Sequence, residues 1–222
     1  VGRKLGDGSY INNAARQTIY QYFHDKYGFG EKTGIELAEA QGLITSPTEQ
    51  EGNEVRYANM TFGQGINLTP IQVTSAFCSI INGGVYYRPT VVAGVKKGDA
   101  VEWSKPQPLR HTVSAETSTQ MRTMLDTARH SFYVGKDDKP GYLIGGKTGT
   151  VELLVNGAYS MKETAGTYVG FGGTDKPEYV IMIRVSAPNK HVALEGSVHA
   201  SPIFTDISNW MIEYLKLSPR RS

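Results

Sequence analysis

The chain reads as an α+β protein. Three strand-like stretches rich in β-branched and aromatic residues, at 142–155, 166–172 and 178–187, lie between segments of helical period. The last two are joined by Gly172-Gly173-Thr174-Asp175-Lys176-Pro177, a turn short enough to make them antiparallel neighbours. Helices before and after an antiparallel meander predict one domain.

In chain order, Val1-Gly2-Arg3-Lys4-Leu5-Gly6 reads as the last turn of a helix whose beginning is absent, closed by glycine. A helix capped by Asn12 or Asn13 carries Ile19, Phe23 and Tyr27 and stops at Gly28-Phe29-Gly30. Residues 38–60 show little periodicity, and the loop Ser46–Gly52 within them suggests irregular structure throughout. Thr69-Pro70 opens the clearest helix, with a hydroxyl cap and proline at the first helical position. Ile71, Ser75, Cys78 and Ile81 form its stripe, and Gly83-Gly84 its stop. Ser114 caps a third helix carrying Met121, Met124, Leu125 and Ala128. Ser201-Pro202 starts a fourth with Ile203, Ile207, Trp210, Met211 and Tyr214 at helical spacing. Residues 218–222 read as a tail.

Composition bounds the function. Apolar residues make up 39% of 222 and charged residues 20%, enough to bury a core and to exclude wholesale disorder. With 23 basic and 21 acidic side chains the net charge is +2, and no basic stripe suggests a nucleic-acid groove. The single cysteine, Cys78, makes no internal disulfide, and a buried inert thiol is its expected state. The five histidines lack metal-ligand spacing, so no metal is expected. Apolar runs such as Tyr179–Ile183 fall far short of the roughly 20 residues of a membrane span. The first residue is Val1 and no signal segment follows, so a fragment of a longer protein is expected. Trp103 suits loop anchoring and Trp210 core packing; Tyr86 and Tyr87 suit a half-buried strand or the border of a groove.

The sharpest local signal is Gly145-Gly146-Lys147-Thr148-Gly149-Thr150 on an extended segment. Strand alternation puts Thr148 and Thr150 on one face, with Gly149 bare between them, so a ligand could lie against the backbone. On an edge strand, unpaired N–H groups would take an extended peptide, the hydroxyls a carboxylate, and Lys147 would supply positive potential. The spacing Gly141…Gly146-Lys147-Thr148 also fits a phosphate loop, but that motif needs a helix after it, and Val151-Glu152-Leu153-Leu154-Val155 reads as strand. A twisted strand with a glycine bulge is the plainer alternative. Lys32-Thr33-Gly34 repeats the tripeptide in a loop, where turn chemistry is its expected role.

Taken in order, Tyr27-Gly28-Phe29-Gly30, Lys32-Thr33-Gly34-Ile35, Gly63-Gln64-Gly65, Thr69-Pro70-Ile71-Gln72-Val73, Asn82-Gly83-Gly84 with Pro89, and Gly146-Lys147-Thr148-Gly149-Thr150 resemble penicillin-binding protein transpeptidase domains. Tyr168-Val169-Gly170-Phe171 and Ala200-Ser201-Pro202-Ile203-Phe204 extend the likeness over nearly the whole chain. The resemblance implies a penicillin-binding, serine β-lactamase-like α+β fold, incomplete at its N-terminal side, with residues 1–222 as the C-terminal part of one transpeptidase domain. It also implies three motifs, Ser-x-x-Lys, Ser-x-Asn and Lys-Thr/Ser-Gly, acting by acyl transfer. No serine here has lysine three residues on or asparagine two residues on; Ser9…Asn12 is one residue too long. The nucleophile is therefore expected upstream, and the chain alone is expected to be inactive.

By the same resemblance, Lys147 supports the catalytic hydrogen-bond network. Thr148, Gly149 and Thr150 bind the substrate, and Thr150 N–H is one oxyanion donor. The implied ligands are a D-Ala-D-Ala stem peptide and β-lactams, with the missing N-terminal part as partner and no cofactor. The implied location is outside the cytoplasmic membrane, anchored by an absent N-terminal segment. A non-catalytic peptide-binding or scaffold module on this fold is the alternative.

Overall fold

The computed structural model describes residues 11–131, 133–155, 157–187 and 192–220; the helix end expected at Val1–Gly6 lies outside them. Contacts divide the chain into two compact units, one running through Ile80 and resuming at Gly84–Ser114, the other formed by Ile81–Gly83 and Ala115 onward.

In the first unit, Asn12 caps α1 (Asn13–Tyr20), its side chain accepting from Ala15 N at 2.9 Å. The helix widens into a single π-type turn over Gln21–Lys26. It ends where Gly28 and Gly30 take φ of 71° and 85°. Ile11, Ala15 and Ile19 pack with Ile44, Tyr57 and Met60. Two of those partners belong to a helix that the sequence does not announce: α2 (Glu54–Met60) lies in the stretch expected to be irregular. Asn53 caps it, accepting from Arg56 N at 3.1 Å. Seven residues are too few for a period to stand out, and such a short helix depends on burying Tyr57 and Met60. Ser46–Gly52 is a loop as expected, closed by Glu49 N donating to Ser46 O at 3.1 Å.

α3 (Pro70–Ile81) opens on a reciprocal cap. Thr69 Oγ1 accepts from Gln72 N at 3.3 Å, and Gln72 Oε1 accepts from Thr69 N at 2.9 Å. Gln72 is fully buried, and its Nε2 donates to Glu31 O at 2.6 Å and Gln41 O at 2.8 Å, so one side chain caps a helix and satisfies two loop carbonyls. Ala76, Phe77 and Ser79 are buried as well as Ser75, so more than one stripe is covered. Cys78 is half-buried, and burial pushes its thiol up to about 11. Two ribbons complete this unit: β1 (Val85–Tyr87) pairs with β4 (Pro108–His111), and β2 (Gly94–Lys97) with β3 (Ala100–Trp103), both antiparallel. Tyr86 is buried and Tyr87 exposed, as in a half-buried strand, and Tyr87 also lines a pocket of about 620 Å³; Trp103 ends β3 with its ring exposed. Lys32-Thr33-Gly34 lies in irregular chain, with Gly34 at φ 78° and Thr33 Oγ1 accepting from Ile35 N at 3.4 Å. Thr33 N, Thr33 Oγ1 and Gly34 N donate to the Glu39 carboxylate at 3.0, 2.8 and 2.8 Å.

In the second unit, β5 (Leu143–Val155), β6 (Ala158–Gly173) and β7 (Pro177–Val185) form an antiparallel sheet in chain order. β6 is longer than the expected 166–172 because it pairs β5 out past a bulge at Glu152/Leu153. A Cβ at Gly145 would stand 2.8 Å from Asp126 N of α4 (Ala115–His130), and one at Gly170 would stand 2.7 Å from the Phe204 ring of α5 (Ser201–Tyr214). Gly170 pairs with Gly146, one residue along from Gly145, so the two helices cover opposite faces of the sheet. Ile144, Tyr168, Ala200, Phe204 and Ile212 form the core on the α5 side, with Ile181 and Ile183 of β7 against it.

The inner stripe of α5 differs from the apolar set at helical spacing. Ser201, Phe204, Thr205, Ser208 and Ile212 are buried, whereas Ile203, Trp210 and Tyr214 are 40%, 55% and 66% exposed. Both stripes recur at helical spacing, and the one with three small hydroxyl residues lets the helix approach the sheet closely. Trp210 stacks on Tyr214 at the surface, with ring centroids 4.8 Å apart. In α4, Leu125 is buried while its neighbour Met124 is exposed. Residues 218–220 turn back to the sheet, Arg220 N donating to Gly141 O at 2.8 Å.

Two measurements check these anchors. Gln72→Ala removes a cap and leaves two loop carbonyls short of partners, so urea denaturation should show a loss of about 2–4 kcal/mol. For Glu39, partial burial raises the carboxyl's pKa, but the bonds from Thr33 and Gly34 outweigh it and the pKa is lowered. Its stabilisation is therefore present above the unfolded-chain value of about 4.3 and is lost as pH falls through the lower folded value. Glu39→Gln should melt below the wild type at neutral pH, with the gap closing on acidification below that range.

Candidate active site

The glycine-rich signal lies on β5, at the edge of the three-stranded sheet, with Lys147, Thr148, Gly149 and Thr150 opposite Val169, Tyr168, Thr167 and Gly166 of β6. The strand continues to Val155 without turning into a helix, which removes the phosphate-loop reading. Lys147 is exposed, its Nζ donating to Thr148 O at 3.0 Å and Thr148 Oγ1 at 3.3 Å. Thr150 is exposed too, and its Oγ1 accepts from Gly196 N at 3.3 Å. A hydroxyl that accepts there still has its own proton to donate to an incoming carboxylate.

The bare position at Gly149 is filled by the protein itself. A Cβ there would stand 2.4 Å from Thr167 Oγ1 across the strand pair. Gly196 in turn lies so close that its own Cβ would stand 2.4 Å from Gly149 O and 2.3 Å from Thr167 O. These contacts seat the turn Gly196–Ala200 on the sheet and carry Ser197 beside the site.

At the near end of the motif, a pocket of about 310 Å³ is lined by Gly146, Lys147, Thr148, Tyr168, Arg129, Ala128, Val134 and Ser197. A Cβ on Gly146 would stand 2.6 Å from the Tyr168 hydroxyl and 2.7 Å from its ring, so the tyrosine lies directly over the glycine. Arg129, 1% exposed, makes up the inner wall. Its Nε and Nη2 donate to Asp138 Oδ2 and Oδ1 at 2.6 and 2.5 Å, Nη1 to Tyr168 Oη at 2.7 Å, and Nη2 to Thr205 Oγ1 at 2.9 Å. Burial alone lowers the guanidinium's pKa, but Asp138 and Tyr168 outweigh it and the pKa is raised, so the charge is kept.

Sequence reasoning missed Arg129, Asp138 and Ser197. The signal for Arg129 was its spacing. It lies four residues after Leu125, on the same face of the helix, and the structure buries Leu125, Arg129 and, earlier on the helix, Ser118. Asp138 and Ser197 had no comparable signal: Asp138 lies in a turn, and Ser197 in a five-residue helical turn too short for a period to stand out. Among the described residues, no three His, Cys, Asp or Glu side chains gather as metal ligands.

The family described as "Penicillin binding protein transpeptidase domain" matches residues 11–209. Stage V sporulation protein D of Bacillus subtilis is 32% identical over 232 residues, covering 100% of this chain and 33% of its own length. The peptidoglycan D,D-transpeptidase FtsI homolog of Mesostigma viride is 26% identical, covering 90% of this chain and 36% of its own. Among solved structures, penicillin binding protein 3 from Mycobacterium tuberculosis, complexed with ampicillin, superposes with a TM-score of 0.77 at 27% identity, covering 91% of this chain and 47% of that one. The chain thus spans about a third of the length of these sequence relatives.

The packing of the Gly196 turn is testable. Gly196→Ala has no room against the Gly149 and Thr167 carbonyls. It should cost about 1–3 kcal/mol of stability in chemical denaturation and break the contact to Thr150.

Proposed function

Because the chain belongs to the penicillin-binding protein transpeptidase family, we propose that it is the C-terminal part of one transpeptidase domain. In this reading it supplies the substrate-binding strand of a peptidoglycan D,D-transpeptidase that also binds β-lactams. The observation that carries the reading is Lys147-Thr148-Gly149-Thr150 on an edge strand, with Lys147 and Thr150 exposed and Thr148 half-buried beside the pocket. An extended stem peptide ending in D-Ala-D-Ala has a free strand edge to lie along and a terminal carboxylate to place.

In this reading a serine on the upstream part of the protein attacks the penultimate D-Ala carbonyl. The resulting oxyanion is stabilised by backbone N–H groups, that of Thr150 among them. Collapse expels D-Ala and leaves an acyl-serine ester, which an amine of a neighbouring stem peptide then takes over, restoring the serine hydroxyl. A β-lactam enters the same path, and its ring amide opens onto the serine. Thr148 and Thr150 hold the carboxylate, Thr150 with the proton that its contact to Gly196 leaves free. Lys147 adds positive potential and holds the catalytic hydrogen-bond network. The reaction runs outside the cytoplasmic membrane, and the upstream part carries the membrane anchor.

Intact-mass spectrometry after incubation with a penicillin tests this. The longest form of the protein should gain one adduct and the 222-residue chain none, and Thr150→Val in the longest form should slow acylation by about 10- to 100-fold through loss of one hydrogen bond to a charged group. An adduct on this chain would place the nucleophile within it, and no adduct on either form would favour the non-catalytic module.

A further inference from the structure

We propose that Arg129 is the positioning residue of the pocket beside Lys147 and Thr148, holding its walls in the geometry that an acyl donor needs; this rests on the reading of β5 as the substrate-binding strand. Besides the strand, and Arg129 with its helix neighbour Ala128, the pocket has three walls, and each is tied to this one guanidinium. The first is Tyr168, which lies over Gly146 and faces Thr148 in register, its phenol accepting from Arg129 Nη1 at 2.7 Å. The second is Val134, in the turn that follows α4. Asp138 closes the next turn, its N–H donating at 3.2 Å to O of Gly135, the residue after Val134, and both of its carboxylate oxygens take Arg129. The third is Ser197, on the turn leading into α5, whose first helical turns are held by Arg129 through Thr205 at 2.9 Å and Ser201 at 3.5 Å.

The guanidinium is itself fixed, lying 4.7 Å from the Phe204 ring centroid and 5.2 Å from that of Tyr168. A fully buried ion pair is a poor source of stability compared with apolar side chains of like volume. What the guanidinium supplies that an apolar side chain cannot is direction. Its planar fork aims five N–H groups at four partners on three separate segments.

The test separates geometry from stability. Arg129→Met leaves the buried Asp138 carboxylate with the His130 ring 3.9 Å away in place of a guanidinium and should unfold early. Arg129→Met with Asp138→Asn removes both charges and should melt near the wild type. Tyr168→Phe keeps the ring over Gly146 and removes only the anchoring phenol. In the longest form of the protein, the double variant should be acylated by a fluorescent penicillin roughly 10- to 100-fold more slowly than wild type, and Tyr168→Phe should be slowed in the same direction by less. In the ¹⁵N-labelled 222-residue chain, both should shift the Gly146 and Thr148 amide resonances. Wild-type acylation with unmoved resonances in a stably folded variant overturns the proposal, and Tyr168→Phe decides it if the double variant does not fold. If the wild-type protein takes up no penicillin, the functional reading falls, and the resonances alone decide whether Arg129 positions the strand.

Discussion

A charge that the interior would not otherwise tolerate organises the second unit. Arg129 is removed from water, and its positive form persists because every direction of its fork ends on an acceptor: two carboxylate oxygens of Asp138, the Tyr168 phenol, and the hydroxyls of Ser201 and Thr205. Satisfying the guanidinium in this way fixes the ends of two helices and the central strand relative to one another. Apolar contacts alone would allow those elements to slide, since burial is nearly indifferent to direction.

Close approach is the second constraint, and glycine meets it. The Tyr168 ring lies against Gly146 because no Cβ stands between them, and the turn at Gly196 seats on the carbonyls of Gly149 and Thr167 for the same reason. The turn reaches the strand without pairing along it, so β5 remains an edge strand. An edge that stays open is a liability in most sheets. Here it carries Lys147 and Thr150, both exposed.

The first unit solves a different problem, that of long loops with polar backbone inside. Gln72 caps its own helix and takes up the carbonyls of Glu31 and Gln41. Glu39 gathers the amides of Thr33 and Gly34. In both cases one side chain replaces the ladder that a sheet or helix would have provided, which is why so much irregular chain packs over residues 28–53 with little regular secondary structure.

Strong local grammar was enough to read part of this protein directly. Asn12 and Thr69-Pro70 start helices, paired glycines stop them, and the strand meander with its short last turn gives the antiparallel sheet, because caps, turns and period act over a few residues. The Lys147–Thr150 motif was legible for the same reason, as a run of residue types on one strand. Tertiary structure decided what local grammar leaves degenerate. α5 has two stripes of equal period, and the sheet selected the one with three small hydroxyl residues, turning Trp210 outward. α2 is too short to signal itself and exists because Tyr57 and Met60 meet a core formed by distant residues. Gly149 looked bare in sequence, yet Thr167 fills the space beside it. Arg129, Asp138 and Ser197 come together across up to 68 residues of chain, through packing that no local pattern encodes.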